Sequence, residues 1–281
     1  MVATLLFATA ASAQVNVIAT GGTGAASYTT IKGAFDAINA GTHSGTIAIG
    51  LSGDTTETAP AVLNASGAGA ASYATISISP SGGAARTISG AIAAGSPLID
   101  FNGADNVTID GLNTGGNSLT LANTTVSATS GTSTIRFIGG ATNNVVTNAN
   151  IQGSASASVA TNGATIFFST DAVTANGNDN NTISNNNIGP AGANLPSKAI
   201  LGNGSTTTTA IGNSGIVISN NNIFDYFGAA VTSSGIATNG GCNTWSITNN
   251  RLYQTGTRTW TTGALHTGIE IRSATATSGA Q

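Results

Sequence analysis

Apolar residues recur in the second half of the chain in short segments of one type. These are Asn143–Ile151 (NNVVTNANI), Asn180–Ile188 (NNTISNNNI), Ser214–Ile223 (SGIVISNNNI) and Thr244–Leu252 (TWSITNNRL). Their last apolar residues, Ile151, Ile188, Ile223 and Leu252, lie 37, 35 and 29 residues apart. Five positions earlier stands a second apolar column: Val146, Ile183, Ile218 and Ile247. Three positions before the end every copy has asparagine: Asn148, Asn185, Asn220 and Asn249. Asp105–Leu112 (DNVTIDGL) is an earlier copy, with Ile109 placed 37 residues before Val146.

A weaker unit lies between these copies. Thr134–Phe137, Thr165–Phe168, Ala199–Leu201, Ala230–Thr232 and Gly268–Ile271 are short strand-like runs. Ile135, Ile166, Ile200 and Val231 define its column, at intervals of 31, 34 and 31. Each period therefore holds at least two strands, and a β-type period of this length means a solenoid or a propeller. The strands are short and the bends are Asn-rich instead of Asn-Gly hairpins. That pattern predicts a parallel β-helix, each period being one coil stacked about 4.8 Å from the next. The asparagine column suits a sharp bend, because Asn tolerates the left-handed region. Its stacked amides are also expected to bond from coil to coil as a ladder.

Tyr28–Ala40 differs. Ile31, Ala34, Phe35 and Ile38 have helical spacing, and Gly41 follows as a C-cap. One such helix would close the open apolar end of a solenoid. Strands are expected next at Thr46–Ile49, Thr75–Ile78 and Leu98–Phe101.

Composition narrows the function. Only 6% of the 281 residues are charged, and 7 Lys+Arg with a net charge of −3 cannot form the basic footprint of a nucleic-acid partner. The hydrophobic fraction of 40% argues against disorder despite 38 glycines. Met1–Ala13 is an apolar run ending in Ala11-Ser12-Ala13, a small-x-small cleavage pattern, and is read as a signal peptide whose basic start lies upstream. It is too short to span a membrane, as is every other apolar stretch. The chain is divided into a leader at 1–13, a linker at 14–27, a β-helix at 28–273 and a truncated or frayed end at 274–281. The single cysteine, Cys242, allows no internal disulfide and has no histidine beside it in sequence.

The helix at Tyr28–Ala40 followed by Gly45-Thr46-Ile47-Ala48-Ile49, then Asn106–Leu112 and the Asn-Asn-x-Ile coils, resembles the right-handed parallel β-helix, pectin-lyase-like superfamily. The resemblance covers residues 28–273. It implies an all-β, right-handed parallel solenoid with one N-terminal capping α-helix. For activity it implies a range: polysaccharide lyases, polysaccharide hydrolases, phage tailspikes and non-enzymatic surface proteins.

The chemistry such enzymes need is thin here. Hydrolases place two carboxylates about a glycosidic bond. Lyases cluster acids for Ca²⁺ and add a base. The ten carboxylates include no Asp-Asp pair; the nearest cluster, Asp100, Asp105 and Asp110, reads as turn chemistry. Arg136 and Glu270 take the outward parity of the second strand several coils apart, and Phe167 shares that column, either to stack on a sugar or to pack under a loop. Trp245, Trp260, Tyr226 and Tyr253 are scattered. Tyr253 and Trp260 bracket a loop with Arg251 and Arg258, the best candidate for a carbohydrate contact. His43 and His266 are isolated and default to loop or surface.

The expectation is a non-catalytic secreted or cell-surface module of bacterial type, a structural or adhesive rod contacting carbohydrate. Its partner would be an extracellular polysaccharide or another surface protein. The alternative is a lyase or glycoside hydrolase. No catalytic residue can be named and no cofactor or metal ligand is expected, Ca²⁺ entering only with the lyase.

Overall fold

The computed structural model describes residues 13–158, 161–170, 176–205, 209–261 and 263–272. The leader up to residue 12 and the expected frayed end at 274–281 lie outside the described residues.

The chain winds as a parallel β-solenoid with three faces. The first face carries His43–Leu51, Tyr73–Pro80, Val107–Asp110, Val145–Thr147, Thr182–Ser184, Val217–Ser219 and Ser246–Thr248. The second carries Thr55–Glu57, Ala85–Gly90, Ser118–Asn123, Asn150–Gly153, Asn187–Pro190, Asn222–Phe224 and Arg251–Tyr253. The third carries Ala61–Asn64, Pro97–Asn102, Ser133–Ile138, Ala164–Ser169, Lys198–Asn203, Ser233–Thr238 and His266–Ile271. Each period thus holds three strands, because the two apolar columns of the repeat lie on different faces across the asparagine bend.

Period-two alternation drives the winding. Inward residues stack in register through the core: Ile109, Val146, Ile183, Ile218 and Ile247 on the first face, and Ile151, Ile188, Ile223 and Leu252 on the second. On the third face Phe101, Phe137 and Phe168 stack at centroid distances of 5.3 and 4.6 Å. Gly202 follows Phe168 in register, and the buried Trp245 fills the space it leaves: a Cβ there would sit 2.6 Å from the indole. Trp245 donates from Nε1 to the Asn213 carbonyl at 2.9 Å, so it is a core residue and no sugar platform.

The asparagine column is confirmed as a bend and corrected as a ladder. Asn148, Asn185, Asn220 and Asn249 have φ between +55° and +57°. Asn185 and Asn148 donate outward, to Thr147 at 3.5 Å and Asp110 at 2.9 Å, and not to one another. The ladder belongs to the next two residues of each NNN run. Asn186, Asn221 and Asn250 turn inward, with Asn186 Nδ2 donating to Asn221 Oδ1 at 3.1 Å and Asn221 Nδ2 to Asn250 Oδ1 at 2.9 Å. Asn150, Asn187 and Asn222 form an outer ladder with bonds of 3.0 Å.

Two further expectations are corrected. The segment read as a linker forms strands. Val15–Gly22 pairs antiparallel with both Ala25–Tyr28 and His43–Leu51, which extends the first face. Its glycines mark the tight turn at its tip, where Gly22 has φ +68°. On the third face Val231 is not in the column of Ile200; Ile236 is, on the strand Ser233–Thr238. Val231 sits in a turn closed to the Gly228 carbonyl. The true strand was masked by small residues, Ser233, Ser234 and Gly235, that carry little apolar signal.

Helix α1 (Ile31–Asn39) buries Ile31, Ala34, Phe35 and Ile38, as the spacing predicts, and packs across the first strands of the solenoid. Thr30 caps it, accepting from the Gly33 amide at 3.1 Å. Buried Glu57 accepts from the Ile31 and Lys32 amides at 2.9 and 3.1 Å, which places a carboxylate on the positive end of the helix. Glu57→Ala leaves those amides unpaired and is expected to cost about 2 kcal/mol. The loss should appear as faster amide exchange across α1 while the later coils stay protected.

Candidate functional site

In the last coils aromatic rings, an arginine and a pocket meet. Between the second and third faces the chain runs through two long bends, 225–232 and 254–261. They border an open pocket of about 200 Å³ lined by Tyr226, Phe227, Gln254, Arg258, Trp260 and His266, together with Thr267 and Gly268. Trp260 is 57% exposed. Its ring lies 5.4 Å from that of His266, whose other neighbour is Phe227, stacked at 4.7 Å and 28°.

The polar rim is fixed by Asp225. It accepts from the Thr255 amide at 2.8 Å, from Thr255 Oγ1 at 2.6 Å and from Arg258 Nη2 at 2.5 Å. Burial pushes the Asp225 carboxyl up, but the bonds from Thr255 and Arg258 outweigh it and hold the pKa below the ordinary value. Asp225 is therefore a fixed carboxylate and no proton donor. Arg258 Nε also donates to Gln254 Oε1 at 2.9 Å, and Gln254 Nε2 donates to the Tyr226 carbonyl at 3.1 Å. These bonds tie both bends together.

His266 Nδ1 lies 2.6 Å from Ser233 Oγ. That is the distance of a nucleophile and its base. Ser233, however, is fully buried, so its hydroxyl cannot meet a substrate. The contact fixes the ring instead. His266 Nε2 is covered and has no hydrogen-bond partner.

The candidate loop of the sequence is split by the structure. Arg258 and Trp260 enter the pocket. Arg251 and Tyr253 stand side by side on the second face, the guanidinium 4.4 Å above the ring, and Phe224 of the preceding coil stacks on Tyr253 at 5.7 Å. Tyr226 joins the pocket, while Trp245 does not. Phe227, Gln254 and His266 were missed as a group. Ser233 and His266 pair across adjacent coils, so the strand run Gly268–Ile271, extended by two residues, would have placed His266 beside the bend.

The remaining candidates are structural. Asp100, Arg136, Phe167, Leu201, Ala237 and Glu270 form one outward column on the third face, as parity predicts. Arg136 meets Asp100 with two bonds, Nε to Oδ1 at 2.9 Å and Nη2 to Oδ2 at 2.7 Å. Phe167 is 1% exposed and packs with Ala164, Leu201 and Ala237 in an outer apolar cluster, which settles its two readings in favour of packing. Asp105 accepts from the Thr142 amide, and Asp110 from the Leu112 amide and Asn148. The three aspartates thus serve three separate purposes. His43 is buried between Tyr28 and the Thr23 carbonyl, not at the surface. Burial pushes the Cys242 thiol up to about 12, so it is unreactive at neutral pH.

Among the described residues no three His, Cys, Asp or Glu side chains converge as a metal site, and no helix is long and apolar enough to cross a membrane. Comparison with protein families, curated proteins and solved structures gives no match.

Proposed function

We propose that the chain is a secreted or cell-surface β-helix rod of the pectin-lyase-like type. It is non-catalytic and contacts carbohydrate through the pocket at Trp260. The observation that carries this reading is the exposed indole set beside a stacked Phe227–His266 pair, with Arg258 and Gln254 on the rim. Apolar ring faces beside fixed polar groups match the alternating faces and hydroxyls of a sugar. The neutral Thr, Ser, Asn and Gly surface supports a structural role, since stacking and backbone pairing, not charge, hold the coils.

The carboxylates support binding over cleavage. Asp225, which pairs with Arg258 of the pocket, is held ionised by three donors, the Thr255 amide, its hydroxyl and Arg258, and Asp100 is consumed by Arg136. A cleaving pair needs one acid free to give a proton.

Trp260→Ala is expected to weaken glycan binding about tenfold or more, since an aromatic anchor dominates a small contact. A glycan array followed by calorimetry on the best ligand checks this. Release of unsaturated uronate or new reducing ends by the purified chain would overturn the non-catalytic reading.

A further inference from the structure

We propose that the pocket takes a single pyranose ring and that His266 Nε2 is its polar anchor, bonded to one sugar hydroxyl once the Trp260 indole swings aside to stack on the ring. This inference rests on the carbohydrate reading. Three observations carry it. The pocket volume of about 200 Å³ is below the roughly 300–1,000 Å³ that encloses a drug-sized ligand, so one ring fills it.

Second, His266 is held on three sides but left open chemically. Ser233 binds Nδ1, Phe227 stacks on the ring, and Nε2 is covered without a partner. Ser233 Oγ can donate to Nδ1 or accept from it, so Nε2 is correspondingly a donor or an acceptor. A hydroxyl is the ligand group that satisfies either form. Arg258 and Gln254 are held in place by Asp225 and Tyr226 through part of their hydrogen-bonding capacity, so they line the rim as positioned donors. Nε2 differs in being covered and wholly without a partner.

Third, Trp260 can move. It is 57% exposed and its ring is tilted by 50° against His266, whereas Phe227 lies nearly parallel to the imidazole. In this proposal the exposed indole rotates, which leaves Nε2 open to a hydroxyl and presents the indole face to the sugar.

The test titrates the full chain with methyl hexopyranosides and with the monodeoxy analogues of the tightest, read by tryptophan emission and by calorimetry. The chain has two tryptophans and Trp245 is buried, so a saturable emission change reports Trp260. His266→Phe keeps a ring against Phe227 and is expected to weaken the parent glycoside about tenfold, the size of one well-made hydrogen bond. One monodeoxy analogue should lose the same factor on the unmodified chain and nothing further on His266→Phe. His266→Gln should recover part of the loss, and Trp260→Leu should abolish the emission change. Binding by His266→Phe at the unmodified affinity would overturn the hydroxyl contact while leaving the carbohydrate reading in place. Calorimetric binding without any emission change would overturn the movement of Trp260. If no glycoside binds the unmodified chain by either readout, the carbohydrate reading itself falls.

Discussion

Replacing Asn221 by alanine is expected to destabilise the last coils by roughly 3–5 kcal/mol, because it strands several buried polar groups at once. Asn221 Oδ1 accepts from the Asn186 amide at 3.0 Å and from Asn186 Nδ2 at 3.1 Å, and its own Nδ2 donates to the Ile183 carbonyl at 2.9 Å. All three partners are buried and none has water to turn to. The top of the ladder shows how alanine is accommodated where it does occur. Ala149 occupies that position in the preceding coil, and the amide one coil above it, Leu112, donates to Asp110 Oδ1 instead. No carboxylate waits beside Asn186. Two neighbours provide the comparison. Asn222→Ala removes only an exposed rung and should cost less than about 1 kcal/mol. Asn220→Gly keeps a residue at ease with φ +57° and should also stay within about 1 kcal/mol. Urea unfolding followed by the emission of buried Trp245 ranks the three. Equal losses for Asn220→Gly, Asn221→Ala and Asn222→Ala would show that the inner ladder carries no special share of the stability. Solenoid coils interact with their neighbours only, so the loss should be local, with α1 retaining its amide protection.

The architecture was legible because stacking repeats it. Columns such as Val146, Ile183, Ile218 and Ile247 occur once per coil, and the sequence displays them as a period even without a relative to compare. The helix was legible for the same reason, its four apolar residues having one spacing and one burial. Which asparagine of a triplet faces inward was not legible, since all three are the same residue and only the φ of the first distinguishes them. Nor was the fate of outward residues on the third face. Parity placed Arg136, Phe167 and Glu270 in one column correctly, but it did not show that Asp100 joins them or that Phe167 is buried there with Ala164, Leu201 and Ala237. The pocket was half visible. Trp260 and Arg258 are conspicuous in an uncharged chain, whereas His266 reaches them only through a strand pairing 33 residues away in sequence.

Lys198 provides the second large effect, which depends on pH. It is fully buried, and its Nζ donates to the carbonyls of Ala157, Ser158 and Thr161, so one side chain holds the bend above the third face. Its pKa is lowered from 10.5 to about 7, chiefly by burial and then by Arg272, with Glu270 acting in the opposite sense. Unfolded, the amine keeps its ordinary value. Between pH 7 and 10.5 the unfolded chain therefore holds a proton that the folded chain has released, and stability rises with pH across that window. Below pH 7 both states are protonated and the cost of the buried charge is complete. The full span corresponds to a gain on the order of 5 kcal/mol. Cys242 works the other way above pH 9, because its folded value is pushed up to about 12 and the unfolded thiol loses its proton first. The clean interval is thus pH 7 to 9, where the unmodified chain should gain roughly 2–3 kcal/mol. Lys198→Met removes the titrating group, and its stability should be flat over the same interval. The neutral amine still donates to two of the three carbonyls at pH 9 and methionine to none, so at that pH the variant should be the less stable chain by about 2 kcal/mol. At pH 6 the difference narrows, because the unmodified chain then bears the cost of the buried ammonium. Urea midpoints at pH 6, 7, 8 and 9 for both chains measure the crossing slopes. Parallel pH profiles would mean that Lys198 stays charged throughout and that its three carbonyls compensate for burial in full.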